Sequence, residues 1–421
     1  MRASSEMRKL VINLNDCRVG EITRLPDDRT VFTFDESYKA NAHRPVLSLS
    51  FKALSGDLVQ VNKIQKEKLH PFFSNLLPEG YLRNYLVEKL KLKTQREFFF
   101  LSALGDDLPG AVRVDPSGEL IDDADVKPET RFPAESDGAL RFSLAGVQLK
   151  FSSVLEASGR LTIPVQGQGG SWIVKLPAGK FGNVPDAEFA MMTLAKHAGI
   201  EVPEFNLLPA NSIGGLPSEF QQITGDSFAI RRFDRTADGR RIHAEDFAQV
   251  FALYADDKYK KRSYANIAEV LWVEAGEKSV AEFIRRLVFN LMIGNGDMHL
   301  KNWSVLYRDP LKPELSPAYD FIPTVAFLEK QSLGLSLGGT KEFAEVDATN
   351  FKKMAATAKI PERFIMKLVD ESKEASYAAW QEHKSSLPIT SKVGRAIEHH
   401  IHSLSLFKAT LVPGSTLPSK D

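Results

Sequence analysis

From Gly294 to Leu306 the chain reads GNGDMHLKNWSVL, which places an aspartate, a histidine, a lysine and an asparagine within the span Asp297–Asn302, between an apolar run and a strand-like run. Buried polar groups need partners, so this density implies either a solvated loop or a built site. Asp297 and Asn302 stand five positions apart, and Asp320 follows in AYDFIPT after the strand-like runs NWSVLYR and ELSPAYD. Two carboxylates and an amide oxygen are hard donors that suit magnesium and leave room for water and phosphate oxygens. The chemistry they fit is phosphoryl transfer, in which one carboxylate meets the attacking hydroxyl and cations offset charge on the transferred group. The bland alternative is that Asp297 and Asn302 cap one turn and Asp320 starts another. His299 has no cysteine or histidine partner at ligand spacing, so it reads as a ring that orients the loop or touches a nucleotide.

A cation is the next requirement. Lys175 lies in the apolar strand WIVKLP, where a buried ammonium needs an anion, and Glu188 opens the helical run EFAMMTLAKHAG. Nucleotide phosphates and Glu188 could supply that charge; an edge-strand lysine reaching to water is the alternative. The run SLAGVQLK, Ser143 to Lys150, could turn between strands, with Gly146 letting backbone amides approach phosphate. No GxxxxGK[ST] motif occurs, which disfavours a Walker-type site. SFAIRRFDR would join two lobes, with Phe233 either walling the adenine or packing between them. KYKKR, Lys258 to Arg262, is the best local candidate for an acidic or nucleic-acid partner, or else a solvated face.

These residues need elements to hold them. Short strand patterns (KLVINLN, CRVGEITRL, TVFTFD, VLSLSFK) precede helical periodicity in FFSNLLPEGYLRNYLVEKLKL and REFFFLSALG. The polar, acidic, proline-bearing stretch 115–138 reads as a linker that separates an α+β domain (1–114) from the remainder of the chain. Strand patterns over 139–235 then give way to helical ones over 236–411, and a Pro/Ser/Gly-rich tail occupies 412–421. A β-rich lobe feeding a helical lobe is the outline of a bilobal kinase. Lys plus Arg and Asp plus Glu both number 54, so no global field favours nucleic acid or membranes. Cys17 is the sole cysteine, which excludes an internal disulfide and suits a reducing cytoplasm. No signal-peptide-like or membrane-length apolar run is present, so a cytoplasmic, non-membrane protein is expected.

The segments HPFFSNLLPEG, GDDLPGAV, SLAGVQLK, WIVKLP, LAKHAGIEVPE, RRFDR, HAEDFAQ, GDMHLKN and SPAYDF together resemble the HipA family of bacterial serine/threonine kinases, the toxins of toxin–antitoxin pairs. The resemblance spans nearly the whole chain and implies a bilobal kinase-like α+β fold with an added N-terminal domain. It implies Asp297 as catalytic base, Asn302 and Asp320 as Mg2+ ligands, and Lys175, paired with Glu188, as the lysine that meets the ATP phosphates. Ala145, Gly146, Val147, Gln148, Leu149 and Lys150 would form the phosphate loop. Arg231, Arg232 and Phe233 would form the hinge, and His299, Lys301 and Tyr319 would line the nucleotide site. Arg231 stands where some relatives carry an acidic residue, so adenine contacts there are expected from the backbone. Ser143 matches the serine that the family autophosphorylates. The implied substrate is a serine of a protein, such as glutamyl-tRNA synthetase, whose modification arrests growth. The implied partner is a HipB-like helix-turn-helix antitoxin, with operator DNA met only within that complex. A small-molecule phosphotransferase of the aminoglycoside or sugar type shares the D-x-H-x-x-N loop and is the alternative enzyme; a non-enzymatic DNA-bound kinase shell is the other.

Overall fold

The N-terminal strands alternate as a half-buried sheet should. In β1 (Arg8–Leu14), Leu10, Ile12 and Leu14 point inward. The chain is described by a computed structural model over residues 8–53, 55–59, 63–89, 96–117, 150–156, 160–163, 169–177, 183–217 and 220–408. β1 pairs antiparallel with β2 (Cys17–Arg24) and with β4 (Val112–Ser117), and β3 (Thr30–Phe34) completes the sheet in the order β3-β2-β1-β4. Helices α1 (Glu36–Ala40), α2 (Pro71–Ser74), α3 (Gly80–Lys89) and α4 (Glu97–Leu104) accompany it. Phe32, Phe34, Phe51, Phe72 and Phe73 form its aromatic core, with ring centroids as close as 4.8 Å.

Three local expectations change here. VLSLSFK does not form a strand: Leu49–Phe51 is a 3-10 turn, capped by the Ser48 side chain and held by Glu245 of the following domain. The helical run after His70 is two helices, not one, because α2 ends at Ser74 and α3 starts at Gly80, with Pro78 between them. β4 continues to Ser117, into the stretch expected as linker, because Ser117 still pairs with Lys9. The rest of that stretch lies outside the described residues.

The second sheet has the order β6-β5-β7-β9-β8, from β5 (Lys150–Leu155), β6 (Leu161–Thr162), β7 (Trp172–Lys175), β8 (Phe205–Pro209) and β9 (Asp226–Arg231). Helix α5 (Val184–His197) packs on β8 and β9 and sets Glu188 under the sheet, fully buried. The helical lobe then carries β10 (His243–Asp246), α6 (Phe247–Val250), α7 (Tyr264–Val270), α8 (Glu277–Ile293), β11 (Ser304–Asp309), β12 (Lys312–Leu315), α9 (Ala348–Ala358), α10 (Glu362–His383) and α11 (Ser391–Ser403). Its strands form one small antiparallel sheet, β10-β11-β12. The strand expected through ELSPAYD stops at Leu315, and Ser316–Asp320 is irregular.

One junction matters most. Helix α8 is buried along most of its length and ends at Gly294, whose φ of +70° is left-handed. A Cβ there would sit 2.4 Å from Val325 Cγ2, so glycine alone lets the helix stop and release the loop that follows. Among the described residues no helix is long and apolar enough to cross a membrane.

Candidate active site

The loop after α8 is knitted by its own amides. Asn302 Nδ2 donates to the Asp297 carbonyl at 2.7 Å, closing the turn that separates them. Asn295 Oδ1 accepts from the Asp297 N–H at 3.0 Å, and its Nδ2 donates to the Asp320 carbonyl at 3.1 Å and to Asn290 Oδ1 at 2.8 Å. One fully buried side chain therefore fixes both carboxylate-bearing segments to the end of α8. Asp320 has a left-handed backbone (φ +58°), which aspartate tolerates better than most residues, and this turns its carboxylate toward the upper lobe.

There it meets Lys175. The Lys175 ammonium donates to Glu188 Oε1 at 2.5 Å and to Asp320 Oδ1. Burial alone would depress this lysine, but the two carboxylates reverse the effect and hold it firmly charged. Burial likewise opposes ionisation of Asp320, yet Lys175 and Lys150 outweigh it and keep the carboxyl well below the usual range. Glu188 is different: burial raises it to about 7, with Lys175 acting against the rise. Its Oε2 has no hydrogen-bond partner among the described residues. Lys150 lies opposite Lys175 in the β5–β7 register; burial lowers it, Asp320 opposes that, and Lys175 adds to it.

On the lower side, the Asp297 carboxylate is about half-exposed. Its pKa is raised, first by burial and then by the Asp320 charge, while a hydrogen bond from the Tyr259 hydroxyl acts the other way. His299 sets Nε2 3.8 Å from Asp297 Oδ1. Burial, with the Lys258 charge adding to it, depresses this ring to about 3, so it is neutral. Its Nδ1 is buried without a partner among the described residues. Asn302 and Asp320 line one cavity of about 10 Å³ with Tyr319, whose hydroxyl bonds Ser304 Oγ at 2.6 Å and donates to the Lys301 carbonyl at 3.0 Å. The Phe233 ring lies 5.7 Å from that of Tyr319.

The donor set fits a hard cation. Among the described residues no three His, Cys, Asp or Glu side chains gather as a self-sufficient metal site, so a metal held by Asn302 and Asp320 would complete its shell with water and phosphate oxygens.

The side chains of three residues expected at the nucleotide site point elsewhere, which leaves the backbone contact expected at Arg231 untouched. Arg232 turns into the interface with the N-terminal domain, where Asp107 (3.0 Å) and Asp234 (2.8 Å) bind its fork, because a buried guanidinium needs carboxylates more than an adenine can offer. Arg231 extends outward to Glu204 at 3.3 Å. Lys301 points away from the cleft to Asn75 Oδ1 (3.0 Å), Asp246 Oδ2 (3.1 Å) and Glu79 Oε1 (3.3 Å). Ser143, Ala145, Gly146, Val147, Gln148 and Leu149 lie outside the described residues. The reading of residues missed Asn295, Tyr259 and Glu79. Only Asn295 had a local signal, its place in the quoted GNGDMHLKN; the others reach the loop from distant segments.

A five-stranded lobe bearing a lysine–glutamate pair, set over a helical lobe bearing an Asp-x-His loop, defines a protein of the kinase-like fold class. The HipA N-terminal domain is matched over residues 10–115 and the HipA-like C-terminal domain over residues 142–380. The chain belongs to the HipA family. It is 45% identical over 393 residues to Y4dM of Sinorhizobium fredii, whose name marks it as a candidate kinase, covering 93% of this chain and 95% of that one. It is 27% identical to the serine/threonine-protein kinase toxin HipA of Shewanella oneidensis, covering 74% of each chain. Among solved structures, the Shewanella oneidensis HipA–HipB complex with its operator DNA aligns with a TM-score of 0.70 at 20% identity, over 94% of this chain and 95% of that one.

Proposed function

We propose that this chain is an ATP-dependent protein-serine/threonine kinase, the toxin of a toxin–antitoxin pair. The observation that carries the reading is the bridge made by Asn295, which ties Asp297 to Asp320 while Asp320 meets Lys175. A base, a metal-ligand pair and a phosphate-binding cation thus converge from three separate segments. In the reaction, a serine oxygen bonds the γ-phosphorus as the bond to the β,γ-bridging oxygen breaks; ADP leaves and the hydroxyl proton passes to Asp297. Lys175 sets its fixed charge against the phosphates. Magnesium, held by Asn302 and Asp320, would neutralise phosphate-oxygen charge. Neutral His299, whose Nδ1 has no partner among the described residues, lies beside the base and offers a nucleotide one further polar contact.

The substrate is a protein serine, as on an aminoacyl-tRNA synthetase such as the glutamyl enzyme, with Ser143 as the site of autophosphorylation. The outcome is growth arrest and persistence. The partner is a HipB-like helix-turn-helix antitoxin, and operator DNA is met through it; the likeness to a HipA solved with HipB and operator DNA supports this. A cytoplasmic location suits all of these. The test is incubation of the full chain with radiolabelled Mg–ATP, with and without glutamyl-tRNA synthetase. Label on protein serine, at Ser143 or on the synthetase, is expected. Label found only on an added aminoglycoside or sugar would overturn the reading.

A further inference from the structure

The basic run Lys258–Arg262 is exposed from Tyr259 to Arg262, but its start is tied to the Asp297 loop. Lys258 is buried and pairs with Glu79 Oε2 at 3.1 Å, and its carbonyl accepts from the Leu300 N–H at 3.2 Å. Tyr259 then crosses the loop: its ring meets His299 edge to face at 4.8 Å, and its hydroxyl donates to Asp297 Oδ1. Lys341 anchors the same residue from outside, donating to the Tyr259 carbonyl at 2.9 Å and to the Gly334 carbonyl at 3.0 Å. Among the described residues no donor bonds Asp297 Oδ2.

We infer that Tyr259 is the positioning residue for the catalytic carboxylate, holding Oδ1 of Asp297 so that Oδ2 faces the acceptor hydroxyl, and that Glu79 of the N-terminal domain holds this arrangement in place. The inference rests on the kinase reading above. Glu79 is suited to the task because its two oxygens reach lysines on both sides of the carboxylate, Lys258 beside Tyr259 and Lys301 beside Asn302. Those lysines belong to segments joined by the Tyr259–Asp297 and Leu300–Lys258 bonds and by the Tyr259–His299 ring contact, so one glutamate clamps the strap to the loop. An aspartate on a loop after a glycine otherwise has χ1 freedom. A hydrogen bond to one oxygen removes it at the point where a misplacement of about 1 Å costs about 10²-fold in rate.

The test uses the full chain, Mg–ATP as donor, and both the chain itself and dephosphorylated casein as acceptors, in wild type, Asp297→Asn, Tyr259→Phe, Glu79→Gln and the double variant. Tyr259→Phe keeps the ring against His299 and removes only the hydroxyl. Its kcat is expected to fall about 10–100-fold while KM for Mg–ATP stays within about twofold. Glu79→Gln is expected to lose less, and the double variant to match Tyr259→Phe alone, since both act through one carboxylate. Wild-type transfer that Asp297→Asn abolishes but Tyr259→Phe leaves unchanged overturns this inference alone. Faster transfer by Tyr259→Phe also overturns it, since the phenol would then be blocking the acceptor position. No transfer by the wild type overturns the kinase reading and the inference together. Should Tyr259→Phe lower the unfolding midpoint, Glu79→Gln carries the same kcat-against-KM comparison.

Discussion

Arg232 and Arg235 sit in a charge cluster that is closed on itself, whereas the cluster around Lys175 is left open. In the first, Asp234 and Asp107 receive both guanidinium groups, the remaining N–H groups reach the Leu108 and Gly110 carbonyls, and the Gly110 amide donates to Asp234 at 2.7 Å. In the second, Lys175 is shared by two carboxylates, and Glu188 Oε2 and, nearby, His299 Nδ1 have no partner among the described residues. Burying a polar atom without a partner costs about 1–3 kcal/mol, so two such atoms near Lys175 leave contacts for a ligand to complete. The closed cluster fastens one domain to another. The open one is not fastened in that way, and under the proposed function it receives the nucleotide.

The most severe way to test that contrast is to remove a group from the open side. Asp297→Ala is expected to lower phosphotransfer by about 10²–10⁴-fold, the range for a lost general base. Its carboxylate is half-exposed, so the urea midpoint should move by no more than about 0.5 kcal/mol of stability. Retained turnover in a labelled-ATP assay would remove Asp297 from the mechanism.

The closed side should behave in reverse. Asp234→Ala leaves two buried guanidinium groups to share Asp107 alone, for which a cost of about 3–5 kcal/mol is expected in urea unfolding followed by tryptophan fluorescence. Burial opposes the Asp234 charge, but Arg232 and Arg235 prevail and hold it well below the usual carboxylate range, which is why its loss is so costly. A loss below about 1 kcal/mol would mean that the two domains are fastened elsewhere.

Glu245 gives that interface a pH dependence. It accepts from the Ser48 hydroxyl, the Leu49 amide and the Tyr307 hydroxyl, and burial raises it to about 7 against their pull. A folded value above the ordinary one means that its contribution is full below about pH 4.5 and is lost as pH rises through about 7. The buried histidines His70, His243 and His400, depressed by burial to about 4, and His299, depressed to about 3, have the opposite dependence, which tails off as pH rises past about 6.5. Between pH 6.5 and 8 Glu245 should therefore cost the fold about 1 kcal/mol, against a smaller gain from each histidine. Glu245→Gln should remove that share and leave the part that Glu188 contributes in the same window. Equal slopes in the two proteins would count against a raised Glu245.

The contrast between clusters also marks what the sequence could convey. The alternation of β1 and the glycine stop of α8 are local patterns, and they place strands and loop where the reading expected them. Asp297 and Asn302 were legible for the same reason, since one turn joins them, and Asp320 follows the short sheet at a fixed distance along the chain. Arg232 was not. Its partner Asp107 lies 125 positions away, and nothing in RRFDR separates a guanidinium facing a nucleotide from one facing another domain. Lys301 is the stronger case: it flanks a metal-ligand candidate yet serves Asn75, 226 positions back. Ion pairs of this kind are set by how domains meet, which no local periodicity records. VLSLSFK failed similarly, since apolar alternation cannot register that Glu245 claims the Ser48 and Leu49 donors.

The smallest effect is expected at the edge of the open cluster. Arg231 ends β9 beside the proposed adenine wall, yet its guanidinium pairs with Glu204 across a largely exposed 3.3 Å contact. Such pairs contribute about 0–1 kcal/mol and are screened by salt. The backbone holds the position, with the Arg231 N–H donating to the Glu204 carbonyl at 2.8 Å, a bond that survives truncation. Arg231→Ala should therefore change KM for Mg–ATP by less than about twofold, and raising the salt concentration should shift variant and wild type alike. A tenfold rise in KM would show that this side chain leaves Glu204 for the nucleotide, and the open cluster would then extend one residue further along the hinge than the present contacts place it.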